Sequence, residues 1–421
     1  MMLSSEKTTN NITNIIAIVL LAYYMLYRMP VVSYYVNTYI TMLLLVALVI
    51  AFLIKLSNSK IMISMLSLLC VPAYIMFLVD FCYAKDFSIL YSAWSFFLFV
   101  LPLFLGKVIV SRQYKSSRRV VIVSIILVYL ITAVTTITGL SAFPNASRLL
   151  ATGGEYYKTF YPYNIGGYGF IYSLVLLHPL IVGVLRKKTN IFFAIIFSCV
   201  AGFCIIKSAY TIALLLFVIS LVAYLLPVSN EKKLNSGRLV LFVIIIIILM
   251  ALTVPILNAL SEWEVIDEQV SQKIKDVVNV LTGNEVEGIG AESRQKRYEM
   301  SFGAIAQNPI LGLRIGKAVK TGGHSFILDT IAKWGIVGMS FMTIFFMQFL
   351  QFYKKITAKS VAGYYSILFL VLVVVLSALN PTFWEFELGL IAPLLLCELS
   401  EDKETKGKKP RTNNILSRVR Q

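Results

Sequence analysis

The sequence predicts an all-α, polytopic membrane bundle of about twelve transmembrane helices. Three observations predict it. Only 14% of the 421 residues are charged and 58% are hydrophobic, whereas a soluble domain carries about a quarter charged residues. Mean hydropathy is +0.80. Apolar runs of spanning length recur from end to end, in place of the short alternating segments of a β-barrel.

Twelve spans are expected, at 12–29, 33–54, 61–79, 88–110, 119–140, 166–185, 189–206, 208–227, 238–259, 323–352, 361–379 and 382–399. The first apolar run is long enough to be a permanent span rather than a cleaved leader. Almost no loop separates 189–206 from 208–227, or 361–379 from 382–399. The spans divide the chain into residues 1–259 (spans one to nine), an extracytoplasmic loop at 260–322, spans ten to twelve at 323–399, and a basic cytoplasmic tail at 400–421.

Orientation follows Lys and Arg. Arg118 and Arg119, Arg186 to Lys188, Lys232, Lys233 and Arg238, Lys354, Lys355 and Lys359, and the tail all fall on one side. That side is expected to be the cytoplasm, with both termini cytoplasmic. The net charge of +17 is therefore loop charge that sets topology, and nucleic acid is not an expected partner. The five cysteines form no CxxC pair, so neither a disulfide framework nor a metal knuckle is suggested.

Two segments face the other side with real length. The first, 141–165, carries Arg148 among Tyr156, Tyr157, Phe160, Tyr161 and Tyr163. It suits either sugar stacking with anion contact or an aromatic belt at the membrane interface. The second, 261–322, holds eight basic residues against the positive-inside trend, which a loop of this length permits. Its first half has apolar residues at helical spacing and reads as an amphipathic helix.

The second half of that loop carries the candidate chemistry. Arg294, Tyr298, Phe302 and Ile305 fall on one helical stripe, and Arg297 lies one turn from Arg294. Pro309 ends that helix at or just after Asn308. Arg314 lies between Gly312 and Gly316, where the backbone turns, and Gly322-Gly323 precede His324 at the start of the next span. His178 sits inside a span beside Pro179 and reads as a packing or kink residue. Asp329 is five residues past His324 and off its face, so the two are not paired.

The pattern R-x3-Y-x10-P-x2-G followed by GGHSFILDTIAKWGIVG resembles the shared region of bacterial O-antigen ligases and of O-antigen and capsular polysaccharide polymerases. The matching residues are Arg294, Tyr298, Asn308-Pro309, Gly312, His324-Ser325 and Gly335-Ile336-Val337-Gly338. The resemblance implies a fold like that of type-C membrane glycosyltransferases. It implies transfer of a glycan from undecaprenyl diphosphate onto a sugar hydroxyl at the outer face of a bacterial cytoplasmic membrane. The donor would be an undecaprenyl-diphosphate-linked oligosaccharide, with membrane lipid and chain-length regulator proteins as further partners. The family often has Ser-Arg early in a mid-chain span, and Lys207-Ser208 stands at that place here. A Lys supplies the charge but not the bidentate fork.

The chemistry asks for cations at the leaving diphosphate and a base of near-neutral pKa at the attacking hydroxyl. Arg294 is the first choice for the diphosphate, then Arg297 and Arg314, with Lys207, Tyr298 and Arg148 as further substrate contacts. His324 is the candidate base, since a helix N-terminus disfavours its protonated form. No metal and no cofactor are expected, and no Gly-rich nucleotide loop is present.

A polymerase is preferred to a ligase because Ile-, Lys- and Asn-rich composition hints at an AT-rich source, where capsule assembly is the commoner task. The alternative from another class is a lipid-linked oligosaccharide flippase or other transporter. Transporters place ionisable residues at the midplane, whereas the charges here are expected to gather at the outer face.

Overall fold

The computed structural model describes residues 29–36, 115–152, 155–228, 291–313, 321–358, 360–382 and 386–401, with Leu26, Trp384 and single positions between 244 and 279. The expected spans 12–29, 33–54, 61–79, 88–110 and 238–259 lie wholly or largely outside these residues, as do Arg314 and the tail beyond Glu401. Among the described residues there is no strand. The helices are α1 (Pro30–Tyr35), α2 (Lys115–Ala142), α3 (Ala146–Thr152), α4 (Tyr156–Phe160), α5 (Tyr168–Lys188), α6 (Ile191–Ser208), α7 (Thr211–Ser220), α8 (Ala291–Gln307), α9 (Phe326–Thr357), α10 (Ala362–Leu379) and α11 (Ala392–Ser400).

Four described helices are long and apolar enough to cross a membrane: Arg118–Ala142, Tyr168–Lys188, Ile191–Ser208 and Ala362–Leu379. They match four of the twelve expected spans. α5 is the axis of the bundle, packed by α6, α7, α10 and α11. In its apolar window 78% of residues are buried, against 44–50% in the other three. Those three keep outward apolar side chains, such as Val123, Phe192, Ile367 and Val374, as lipid-facing helices must.

Three expected spans take a different form. At 208–227 the apolar helix is Ile212–Tyr224, shorter than a span, and it narrows to a 3-10 turn at Leu221–Tyr224. Arg186 supplies a physical reason. Its Nη1 donates to Ala223 O at 2.6 Å and Leu226 O at 3.1 Å, capping the carbonyls on which another turn would build. At 382–399 a π-turn at Glu387–Ile391 leads into α11. Pro393 has no N–H to continue an α register from that turn. At 323–352, α9 breaks at Gly335, whose φ of 64° and ψ of −172° belong to no helix.

The bundle ends differ in polarity. At one end, called here the basic end, α2 and α5 converge on α11. Glu398 pairs with Arg118 at 3.6 Å, Arg119 at 3.8 Å and Lys188 at 3.0 Å. Arg118 also pairs with Glu401, and buried Lys187 donates to Leu399 O. Arg118, Arg119, Lys187 and Lys188, four of the basic residues expected on one side, therefore meet in space.

Polar groups also occur inside the bundle. His178 is fully buried, with Nδ1 2.8 Å from Ser220 Oγ and Nε2 2.8 Å from Ser198 Oγ. Ser198 Oγ lies 2.7 Å from Tyr224 OH, and Ser220 Oγ donates to Phe217 O at 2.6 Å. Glu387 is 4% exposed and accepts from Ser173 Oγ at 2.6 Å, and Ser173 in turn bonds Tyr129. Glu387 is thus an ionisable group buried inside the bundle, whereas buried Glu398 belongs to the ion pairs of the basic end.

Candidate functional site

α8 ends at Gln307, one residue before the stop that Pro309 dictates. It packs against α9. Its most buried positions are Ser301 at 2% and Ala304 at 1% exposure. Tyr298 and Ile305 are half-buried beside them, while Phe302 is exposed. The packed face is thus rotated from the expected stripe toward a small polar residue. The reason is Asp329, which is 5% exposed on the first turn of α9. Ser301 Oγ donates to Asp329 Oδ1 at 2.7 Å.

The same pair holds the loop before α9. Gly322 N donates to Ser301 Oγ at 3.0 Å and Gly323 N to Asp329 Oδ1 at 3.3 Å. Gly322 lies so close to the Arg297 backbone that a Cβ would overlap its carbonyl. Ser325 caps α9, accepting from Leu328 N at 3.2 Å. His324, half-buried, is therefore fixed one residue before the N-cap and two residues from the contact with Arg297. Asp329 serves as the anchor of this loop.

A second lock lies at the far end of α8. The break at Gly335 exposes amides of α9, and Ile336 N donates to Pro309 O at 2.8 Å and Val337 N to Ile310 O at 3.1 Å. Gly312, at φ 74°, and Gly335 meet backbone to backbone, and a Cβ on either would overlap the other segment. The Asn308-Pro309-x2-Gly312 turn and the Gly335-to-Gly338 element, well separated in sequence, are thus one joint.

Of the expected site residues, Arg297 and Tyr298 lie on α8 and His324 on the loop before α9, two segments that meet backbone to backbone at Gly322 and Arg297. Arg297 is exposed. Arg294 lies one turn before Arg297 on α8, its side chain outside the described residues, and Arg314 is outside them altogether.

Arg148 and Lys207 form a different group. Arg148 on α3 donates through Nη2 to Ala209 O and lies 5.9 Å over the Tyr210 ring. Burial lowers its pKa from the ordinary guanidinium value, and Tyr210 and Tyr172 partly oppose the shift. Lys207, in the last turn of α6, lies 5.8 Å over Phe203. Both cations thus belong to the α6–α7 corner, where Ala209 adopts φ 57°. Tyr156, Tyr157 and Tyr163 of the 141–165 loop are exposed.

Aromatic contacts connect the two groups. Phe326 N donates to Asn380 O at 2.8 Å, tying the start of α9 to the end of α10. Four residues on, Trp384 contacts Tyr172 at 6.1 Å between ring centroids. Tyr172 contacts Tyr210 at 5.7 Å, and Tyr168 touches both at 4.6 and 5.8 Å. The sequence reading missed Ser301, Asp329, Asn380, Trp384 and these tyrosines. A Gly-Gly-x2-x3-Asp spacing is a weak signal, and aromatics inside apolar runs give none. Among the described residues, no group of three or more His, Cys, Asp and Glu could hold a metal ion. No protein-family model matches this chain and no curated protein matches it.

Proposed function

We propose that this chain is a membrane glycan polymerase that transfers a lipid-diphosphate-linked glycan onto a sugar hydroxyl of another lipid-linked unit at the outer membrane face. The observation that carries the reading is the joining of the motif's separated pieces. The Arg297 segment, the Gly-Gly-His loop, the Pro309 turn and the Gly335 break are hydrogen-bonded or packed into one unit.

In the reaction, His324 takes the proton of the acceptor hydroxyl. That oxygen bonds to the anomeric carbon of the donor, and the carbon–oxygen bond to the diphosphate breaks. The diphosphate leaves with the electron pair, and its growing charge is met by Arg294 and Arg297. His324 stands one residue before the N-cap of α9 and two residues from the Gly322 contact with Arg297.

The test is incubation of purified protein with lipid-linked repeat units from a strain lacking it. The polymerase reading expects a ladder of longer products. Recovery of unchanged donor on folded protein sinks it. A second reading, a lipid-linked oligosaccharide transporter, is favoured by one observation: the carboxyl of Glu387 is buried inside the bundle with Ser173 and Tyr129. It expects movement of donor across sealed vesicles without any ladder.

A further inference from the structure

At the end of the bundle opposite the basic end, polar atoms are buried without partners. Among the described residues, Trp384 Nε1, in a side chain 3% exposed, and Asn380 Nδ2, in one 6% exposed, have no hydrogen-bond partner. Arg148 Nε is also buried and unpartnered. These three atoms are all N–H donors. A buried donor without an acceptor is costly, and native folds rarely keep one unless something else fills the role. Two of them border one aromatic cluster, Arg148 over Tyr210 and Trp384 against Tyr172, with Asn380 four residues before Trp384, and together they call for a ligand rich in acceptors.

The charge and shape narrow that ligand. The groups acting on the Arg148 charge are the phenols Tyr210 and Tyr172, and among the described residues no carboxylate pairs with it. Its counter-charge is thus left for a ligand. Tyr168, Tyr172, Tyr210 and Trp384 form a continuous set of ring contacts. Aromatic faces suit the C–H face of a pyranose, and N–H donors suit its ring and hydroxyl oxygens. Lipid chains would use the rings but leave the donors unmet.

We propose that the Arg148–Tyr210–Tyr172–Trp384 cluster is a binding site for an acidic sugar. The oxyanion, carboxylate or phosphate, meets Arg148, the ring lies against the tyrosines, and its oxygens accept from Trp384 Nε1 and Asn380 Nδ2. The inference rests on the polymerase reading for its biological ligand, a sugar of the repeat unit. The site is separate from Arg294 and Arg297, which take the diphosphate in that reading.

The experiment measures thermal stability of the full chain in nanodiscs with glucose, glucuronate, glucose 1-phosphate or pyrophosphate. Glucuronate or glucose 1-phosphate should raise the melting temperature more than glucose, and the larger of the two identifies the oxyanion. Arg148→Gln and Trp384→Phe should each weaken acidic-sugar binding by tenfold or more while leaving the response to pyrophosphate unchanged. Trp384→Phe keeps the ring and removes an N–H with no partner, so the ligand-free protein should melt at the wild-type temperature or above it.

The proposal is overturned if neither acidic sugar stabilises the wild type beyond glucose, or if both variants respond to them like the wild type. It is also overturned if Trp384→Phe lowers the ligand-free melting temperature with the sugar response intact, since the indole N–H would then serve the fold. Sugar binding without a product ladder would retire the polymerase reading and leave this site standing. A ladder without sugar binding would do the reverse.

Discussion

The two ends of the bundle handle buried polarity in opposite ways. At the basic end Arg118, Lys187, Lys188, Glu398 and Glu401 are closed on one another or on a backbone carbonyl. At the other end Trp384, Asn380 and Arg148 keep donors with nothing to bond. Both arrangements cost desolvation; at the basic end opposite charges offset it, although Arg118 Nε, Glu398 Oε2 and Glu401 Oε2 also lack hydrogen bonds there. In the proposed reading, one end holds helices together and the other meets a ligand from outside. Changes at the first should damage folding, and changes at the second should damage function while the fold persists.

The largest effect is expected at the proposed diphosphate and base positions. Arg294→Ala should lose nearly all turnover, and Arg294→Lys should keep part of it, because charge survives without the fork. His324→Ala should lose about a hundredfold in turnover or more with donor binding close to normal. Turnover and donor affinity at matched expression decide this, and wild-type polymerisation by His324→Ala would make the residue structural.

Next in size is the basic end. Glu398→Gln leaves Arg118, 1% exposed, with a weakened counter-charge, and should cost about 3–5 kcal/mol. Denaturation monitored by protease sensitivity reads this loss. A variant as stable as the wild type would mean that Glu401 alone suffices, and would weaken the contrast between the ends.

The joint between the Pro309 turn and α9 comes third. Gly335→Ala places a Cβ against the Ile310 backbone at a φ/ψ pair, 64° and −172°, that only glycine tolerates. It should destabilise by about 3 kcal/mol. The smallest effect is expected from Ser301→Ala, which removes one hydrogen bond to buried Asp329 and one from Gly322. A loss of about 1–3 kcal/mol follows, and turnover should fall further than stability, since the His324 loop is what loosens. Equal falls in both would assign Ser301 to the fold alone.

Much of the described architecture was legible in advance. Long apolar runs located α2, α5, α6 and α10 because hydropathy reports directly on lipid exposure. Pro309 marked the end of α8 because a missing N–H is a local fact. What escaped depended on where backbone hydrogen bonds are completed. Hydropathy cannot see Arg186 capping Ala223, so 208–227 reads as a full span. GIVG inside an apolar run reads as helix, although its amides bond to the Pro309 turn. Asp329 escaped because its partners, Ser301 and the Gly322–Gly323 amides, become neighbours only when α8 packs on α9. Arg297 and His324 were legible as residues, but the lock between their segments was not.

The bonds around His178 have a direction. Ser220 spends its single hydroxyl proton on Phe217 O, so in the neutral ring Nδ1 must carry the hydrogen that Ser220 accepts. Nε2 then accepts from Ser198, and Ser198 accepts from Tyr224. The ring is thus held in its Nδ1–H tautomer by a one-way file of four groups. No single proton can move without every bond in the file reversing together. Nitrogen-15 resonances should report one pyrrole-like and one pyridine-like nitrogen in slow exchange. Of the chain's two histidines, this one is insulated wiring: its polarity orients α5, α6 and α7 and leaves it no spare lone pair with which to do chemistry.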